Sequence, residues 1–195
     1  MNESNEKLYN LVMNTMEIQD NQSILEIGFG NGNFFDKLFS KAKNLKISGI
    51  DYSETMVSVA EKRNEAHVNS GDLDLWLGDC EVLPFDSDSF DKVFCINVIY
   101  FWESPTDNLM EIHRVLKPGG KFYTGIRHKD IMKTMPFTQY GFKMYDIDSW
   151  KAELTGSLFK FEEVRSLDEP AIEYEGQSYI PVALCFVAQK PLSHE

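Results

Sequence analysis

The chain has 195 residues, 43% of them apolar, which supports one domain (1–195) with a substantial core and is short for two. Its formal charge of −12 repels a phosphate backbone and so disfavours DNA, tRNA and rRNA as partners. No apolar run approaches the roughly 20 residues of a membrane span, the polar opening Met1-Asn2-Glu3-Ser4-Asn5-Glu6-Lys7 is unlike a signal peptide, and three cysteines without a CxxC pair offer neither a disulfide framework nor a metal site. A cytoplasmic protein without a bound metal is expected.

A leading helix is expected over 5–17, carrying Tyr9 and Met13. The first strand, 23–27, runs through Glu26 into Gly28-Phe29-Gly30-Asn31-Gly32, where glycines permit positive φ and close approach to the backbone. Phe34, Phe35, Leu38, Phe39 and Ala42 then recur at helical spacing. A second strand over 46–50 ends at Asp51, and Ser53 can cap the helix of Met56, Val57 and Ala60. Further strands are expected over 73–77, 90–96 and 120–126, with Ser104-Pro105 opening the helix of Leu109, Ile112 and Leu116, and Pro118-Gly119-Gly120 stopping it. Beyond an aromatic-rich stretch, 134–146, a helix near 147–155 is capped by Asp146 or Asp148 and carries Trp150 and Leu154. Two long apolar strands, 158–166 and 178–189, close the chain as an antiparallel pair at one sheet edge. Alternating strands and helices predict an α/β fold with a mostly parallel sheet.

The glycine spacing bears on the ligand. A dinucleotide fingerprint, GxGxxG/A, needs Gly or Ala at position 33, where this chain has Asn33, which argues against a nicotinamide-dependent oxidoreductase. The GxGxG loop preceded by Glu26 resembles motif I of the class I S-adenosylmethionine (SAM) methyltransferases. Gly49-Ile50-Asp51-Tyr52-Ser53-Glu54-Thr55-Met56 resembles the family's second motif, with Asp51 about 20 residues past the loop. Gly78-Asp79-Cys80-Glu81-Val82-Leu83-Pro84-Phe85 and Arg114-Val115-Leu116-Lys117-Pro118-Gly119-Gly120 resemble its "GDxxxLPF" and "RVLKPGG" stretches, typical of small-molecule members. The four motifs occur in order over residues 24–126.

The resemblance implies a Rossmann-like fold, a seven-stranded sheet of order 3-2-1-4-5-7-6 with helices on both faces, and SAM as cofactor with S-adenosylhomocysteine (SAH) as product. It further implies that Asp51 accepts from the ribose hydroxyls and that Tyr52 and Met56 pack on adenine. The Asp79 carboxylate and Cys80 main-chain amide are thereby expected to read the adenine edge, Glu26, Gly28 and Asn97 to lie near the methionine end, and Gly30 and Gly32 to belong to the same cofactor-binding set. Leu83 and Phe85 read as core plugs. Asn97-Val98-Ile99-Tyr100 lacks both prolines of the Asn/Asp-Pro-Pro-Tyr motif of amino-methylating DNA enzymes.

For the acceptor, Tyr100-Phe101-Trp102 follows the fourth strand and can wall an apolar pocket, with Tyr100 and Trp102 as candidate substrate contacts beside Tyr9 and Tyr140. At least one of these aromatics also reads as core. The leading helix reads as a lid or as an amphipathic helix packed on the domain, and 134–146 as a substrate lid or as a loop packed on the sheet. His128, two residues past the fifth strand, is the candidate general base, or else a loop histidine between Arg127 and Lys129. The expected activity is methyl transfer by in-line displacement to a small, partly apolar molecule. The alternative is a SAM-binding scaffold subunit acting through a partner protein.

Overall fold

The computed structural model describes residues 2–133, 142–174 and 176–192. Its strands are β1 (Ser23–Ile27), β2 (Lys46–Asp51), β3 (Leu73–Leu77), β4 (Phe90–Ile96), β5 (Leu116–Arg127), β6 (Lys160–Asp168), β7 (Ile172–Tyr174), β8 (Gln177–Tyr179) and β9 (Val182–Gln189). Its helices are α1 (Asn2–Met16), α2 (Phe35–Phe39), α3 (Glu54–Arg63), α4 (Glu65–Asn69), α5 (Pro105–Val115), α6 (Lys129–Met132) and α7 (Ile147–Gly156), with a 3-10 turn at Ile99–Phe101. Seven strands form one sheet in the order β3-β2-β1-β4-β5-β9-β6. The first five pair in parallel, and β9 runs antiparallel to both β5 and β6. Setting aside the short β7-β8 ribbon, this is the expected order 3-2-1-4-5-7-6.

Alternate side chains of the central strands serve opposite faces, as the strand period of two requires. Leu25, Cys95 and Phe122 belong to a core with Ile112 of α5 and Trp150 of α7. Ile24, Phe94 and Tyr123 belong to another with Leu8, Val12 and Met16 of α1. All three cysteines are free and buried. No helix among the described residues is long and apolar enough to cross a membrane.

Several element boundaries differ from the sequence expectation for local reasons. The strand expected over 178–189 is divided: β8 pairs only with β7, and β9 starts after Pro181, which has no N–H to give a ladder and whose carbonyl instead accepts from Glu169 N (2.8 Å). Leu116, expected on the helix, is extended (φ −71, ψ 138) and pairs with Phe90 as the first residue of β5, ahead of a bulge. The helix after the glycine loop is only α2, so Ala42 lies beyond it. Of the two candidate caps for α7, Asp146 serves: its Oδ1 accepts from Ser149 N (2.8 Å) while Ser149 Oγ accepts from Asp146 N (2.9 Å).

The "LPF" and "RVLKPGG" stretches meet in space. Arg114 donates to the carbonyls of Phe85 (2.7 Å) and Leu83 (2.9 Å), and Glu111, bound by the same guanidinium, accepts from Leu83 N (2.9 Å). Leu83 is buried, and Phe85 stands edge-on to Phe90 and Trp76. One ion pair on α5 thereby holds the loop that follows β3.

Candidate functional site

The chain order reverses at β1, whose neighbours β2 and β4 carry the chain to opposite sides, and a crevice opens at the carboxyl ends of these strands. It is a cleft of about 750 Å³. Three of the four motifs and the turn after β4 contribute to its wall: Gly28 after β1, Asp51 and Tyr52 after β2, Asp79 and Cys80 after β3, and Asn97, Val98 and Trp102 after β4.

The glycine loop is shaped by its neighbours. A Cβ on Gly28 would stand 2.4 Å from Val98 Cγ2, and one on Gly32 would stand 2.8 Å from Ala60 Cβ and 2.7 Å from Asn64 Nδ2, both positions having φ near +70 (72 and 65). The buried Asn64 amide fastens α3 to the loop by donating to Gly32 O (3.0 Å). Asp51 is oriented from two sides: Gly30 N donates to its Oδ2 (2.7 Å) and Ser53 N to its Oδ1 (2.9 Å). Ser53 also caps α3 by accepting from Met56 N (3.4 Å). Tyr52, 81% exposed, forms the lip. Asp79 accepts from Glu81 N through Oδ1 (3.1 Å), and the Cys80 thiol points into the core, where burial raises its pKa far above the usual thiol range.

Asn97 has left-handed backbone (φ 58), a conformation asparagine tolerates, and this turns the chain sharply out of β4. The 3-10 turn that follows sends Tyr100 and Phe101 opposite ways. Phe101, 64% exposed, lines the cleft, whereas Tyr100 is buried, with its hydroxyl accepting from Arg127 N (2.8 Å). Trp102 touches the cleft but is mostly buried against Trp150 (6.1 Å between ring centroids). Phe142 packs on Phe101 (4.7 Å) and Lys143 N donates to Tyr100 O (3.0 Å), so the described end of the aromatic stretch lies on the domain.

Seven named residues thus share the cleft wall: Gly28, Asp51, Tyr52, Asp79, Cys80, Asn97 and Trp102. Gly30, Gly32 and Met56 lie in the supporting loop and helix instead. Glu26 and Tyr9 form a buried pair beneath it, Tyr9 Oη donating to Glu26 Oε2 (2.9 Å) while its ring stacks on Phe34 (4.0 Å). Tyr9 is therefore part of the packed face of α1. Burial pushes Glu26 up to about 8, with Asp51 adding to the rise and the Tyr9 hydrogen bond opposing it. His128 does not line the cleft; its ring Nδ1 lies 3.3 Å from Asp130 Oδ2 in its own loop. Tyr140 and the rest of 134–141 fall outside the described residues.

Other residues of the site carry no sequence signal of their own. Arg127, at the end of β5, is buried in a bidentate pair with Glu169 (3.2 and 3.0 Å) and donates to Asn5 Oδ1 (3.1 Å), which also accepts from Asn97 Nδ2 (3.3 Å). The first turns of α1 are thereby tied to the end of β4. Glu81, Glu103 and Asn108 also line the cleft, giving it four carboxylates with Asp51 and Asp79. Among the described residues no lysine or arginine lines it, so the cleft favours a cationic ligand.

The fold and this crevice define a Rossmann-like α/β protein that takes a small ligand at its topological switch point. Residues 25–124 match the family model described as "Methyltransferase domain", and the chain belongs to that family, the class I SAM-dependent methyltransferases. It is 34% identical over 117 residues to the uncharacterized methyltransferase YdaC of Bacillus subtilis, covering 60% of this chain and 62% of that protein. It is 25% identical over 188 residues to the ubiquinone/menaquinone biosynthesis C-methyltransferase UbiE of Geotalea daltonii, covering 89% and 73%. The matched region thus spans a little over three fifths of the Bacillus relative's length. A chain of the Haloferax volcanii complex between the Trm112 methyltransferase activator and a methyltransferase has the same fold, with TM-score 0.81 at 21% identity over 98% of this chain and 92% of that one.

Proposed function

We propose that the protein is a SAM-dependent methyltransferase that transfers a methyl group to a small, partly apolar molecule by direct in-line displacement. The observation that carries this reading is Asp51. Its two carboxylate oxygens are oriented by the Gly30 and Ser53 amides at the cleft wall, and their remaining lone pairs suit a pair of vicinal hydroxyls. The residues fit the cofactor: Asp51 for ribose, Tyr52 and Met56 beside adenine, the Asp79 carboxylate and Cys80 main-chain amide at the adenine edge. Gly28 and Asn97 serve the methionine end, with Gly30, Gly32 and the buried Glu26 shaping the loop behind it. SAM supplies an activated methyl on a sulfonium.

The acidic lining favours binding of that cation. The remaining work of the chain is alignment, since a nucleophile held at near-attack distance needs no covalent help from the protein. Phe101 offers an apolar wall for the acceptor, with Tyr100 and Trp102 packed in the core beside it and Tyr9 in the core of the opposite face. A proton lost from the acceptor is taken by solvent or by a base in the loops after β4 and β5, where His128 is the candidate. The volume of the cleft and the −12 charge support a small acceptor, as do relatives named for quinone biosynthesis and for erythromycin 3''-O-methylation.

Calorimetric titration with SAM and SAH tests the reading. Micromolar binding is expected, and Asp51→Ala should weaken it at least about 30-fold, the loss of charge-assisted hydrogen bonds to ribose. Failure of the intact protein to bind either would overturn it. Likeness to the activator-bound Haloferax chain favours a second reading, a SAM-binding subunit that works through a partner. Tight SAM binding with no SAH released from a panel of small acceptors would favour that subunit.

A further inference from the structure

A row of polar side chains behind the cleft runs from the end of β6 to the end of β4, and its hydrogen bonds have one direction. Arg127 at the end of β5 and Glu169 just past β6 form a buried pair, their side chains 9% and 8% exposed. A buried ion pair gains little stability over apolar groups of the same volume, so its role lies in what the guanidinium fixes. Arg127 can only donate, so the atom of Asn5 that faces its Nη1 (3.1 Å) is the side-chain oxygen Oδ1. The same oxygen faces the Asn97 side chain (3.3 Å), which must therefore turn its Nδ2 toward α1. Asn97 Oδ1 is left on the other side, within reach of the Tyr100 hydroxyl (3.4 Å), which accepts from Arg127 N (2.8 Å) and has its own proton to give.

Of this row only Asn97 lines the cleft. Its backbone is fixed by the left-handed turn (φ 58) and by donation from Asn97 N to Gly125 O (2.9 Å), so the side-chain amide is what remains to be set. The two ends of an amide are alike in shape and opposite in polarity: turned over, it offers an acceptor where it had offered a donor. The amino-acid end of SAM carries an ammonium and a carboxylate a few atoms apart, so it distinguishes the two settings. We propose that Asn5, held by Arg127, is a positioning residue that sets the polarity of the Asn97 amide toward the methionine end of the cofactor. The inference rests on the SAM reading above and adds to it two residues, neither on the cleft wall, that preorganise the amino-acid subsite. An amide set before the ligand arrives spares the ordering cost that binding would otherwise bear, worth about fivefold in affinity for one side chain.

The test is calorimetric binding of SAH and of 5′-methylthioadenosine, which keeps the nucleoside and the sulfur but lacks the amino-acid end, to the wild type, Asn5→Ala and Asn5→Asp. The first substitution removes the shared acceptor; the second keeps an oxygen that accepts from both Arg127 and Asn97. The expected result is SAH binding about fivefold weaker in Asn5→Ala with 5′-methylthioadenosine binding unchanged, and SAH affinity within about twofold of the wild type in Asn5→Asp. An unchanged SAH affinity in Asn5→Ala, or an Asn5→Asp protein as weak as Asn5→Ala, would overturn the proposal while leaving the SAM reading intact. An equal penalty for both ligands would overturn it too, since Asn5 would then be a structural group of α1. Failure of the wild type to bind SAH would instead mean that the SAM reading itself fails.

Discussion

Replacing Glu26 by glutamine should make the protein more stable at pH 8 than the wild type, although it removes a charge next to the proposed cofactor site. Glu26 is 5% exposed, and its pKa rises from an ordinary 4.5 to about 8 on folding. Burial is the main cause, the hydrogen bond from Tyr9 opposes it, and the charge of Asp51 adds to it. Below pH 4.5 the carboxyl is protonated in both folded and unfolded chains and has no effect on the balance. Between 4.5 and about 8 the unfolded chain has released the proton that the folded chain still holds, so stability falls as pH rises. Each pH unit of that window is worth about 1.4 kcal/mol, or roughly 5 kcal/mol in all. Urea denaturation of both proteins without ligand, at pH 5, 6.5 and 8, reads the effect. Glutamine keeps an acceptor for Tyr9 and never ionises, so the difference between the proteins should be small at pH 5 and grow to about 4 kcal/mol in favour of Glu26→Gln at pH 8. His113, whose pKa burial lowers, acts in the opposite direction in part of this window, but it is present in both proteins and cancels in the difference. Parallel curves, or a wild type that gains on the variant as pH rises, would refute the argument by showing an ionised Glu26 in the folded chain.

Other substitutions address the scaffold. Gly32→Ala should lower the melting temperature by about 4–8 °C, or about 2 kcal/mol, because its methyl would meet Ala60 and Asn64 at a positive φ; calorimetric melting reads this, and an unchanged transition would show that α3 yields freely. Arg114→Met should cost about 2 kcal/mol and speed amide exchange at Leu83, since the guanidinium holds both Glu111 and the carbonyls of the 83–85 loop. Native protection at Leu83 in that variant would show that the loop holds itself.

Local rules in the sequence carried the alternation of strands and helices and the loops that meet at the cleft, and the order of the sheet came from the family resemblance of those loops. Glycines mark the turn where chain and ligand approach closely, an acid closes β2, and Pro118-Gly119-Gly120 ends the path from α5 into β5. Two of those local signals, Gly28 and Asp51, stand on the cleft wall together with Asp79. What the tertiary structure decided was every contact between residues far apart in the chain. A one-residue difference in the turn after β4 buries Tyr100 and exposes Phe101, and no periodicity distinguishes them beforehand. The pairing of Arg127 with Glu169 and Asn5 joins three distant segments, and burial makes the Glu26 carboxyl a weak acid although Tyr9 of α1 hydrogen-bonds to it. Asn108 reads in sequence as one more polar residue of an amphipathic helix; only packing shows that it faces inward with its amide unpaired. Hydrophobic period and turn chemistry are properties of neighbouring residues, whereas burial, hydrogen-bond satisfaction and proton affinity belong to the surroundings that folding assembles.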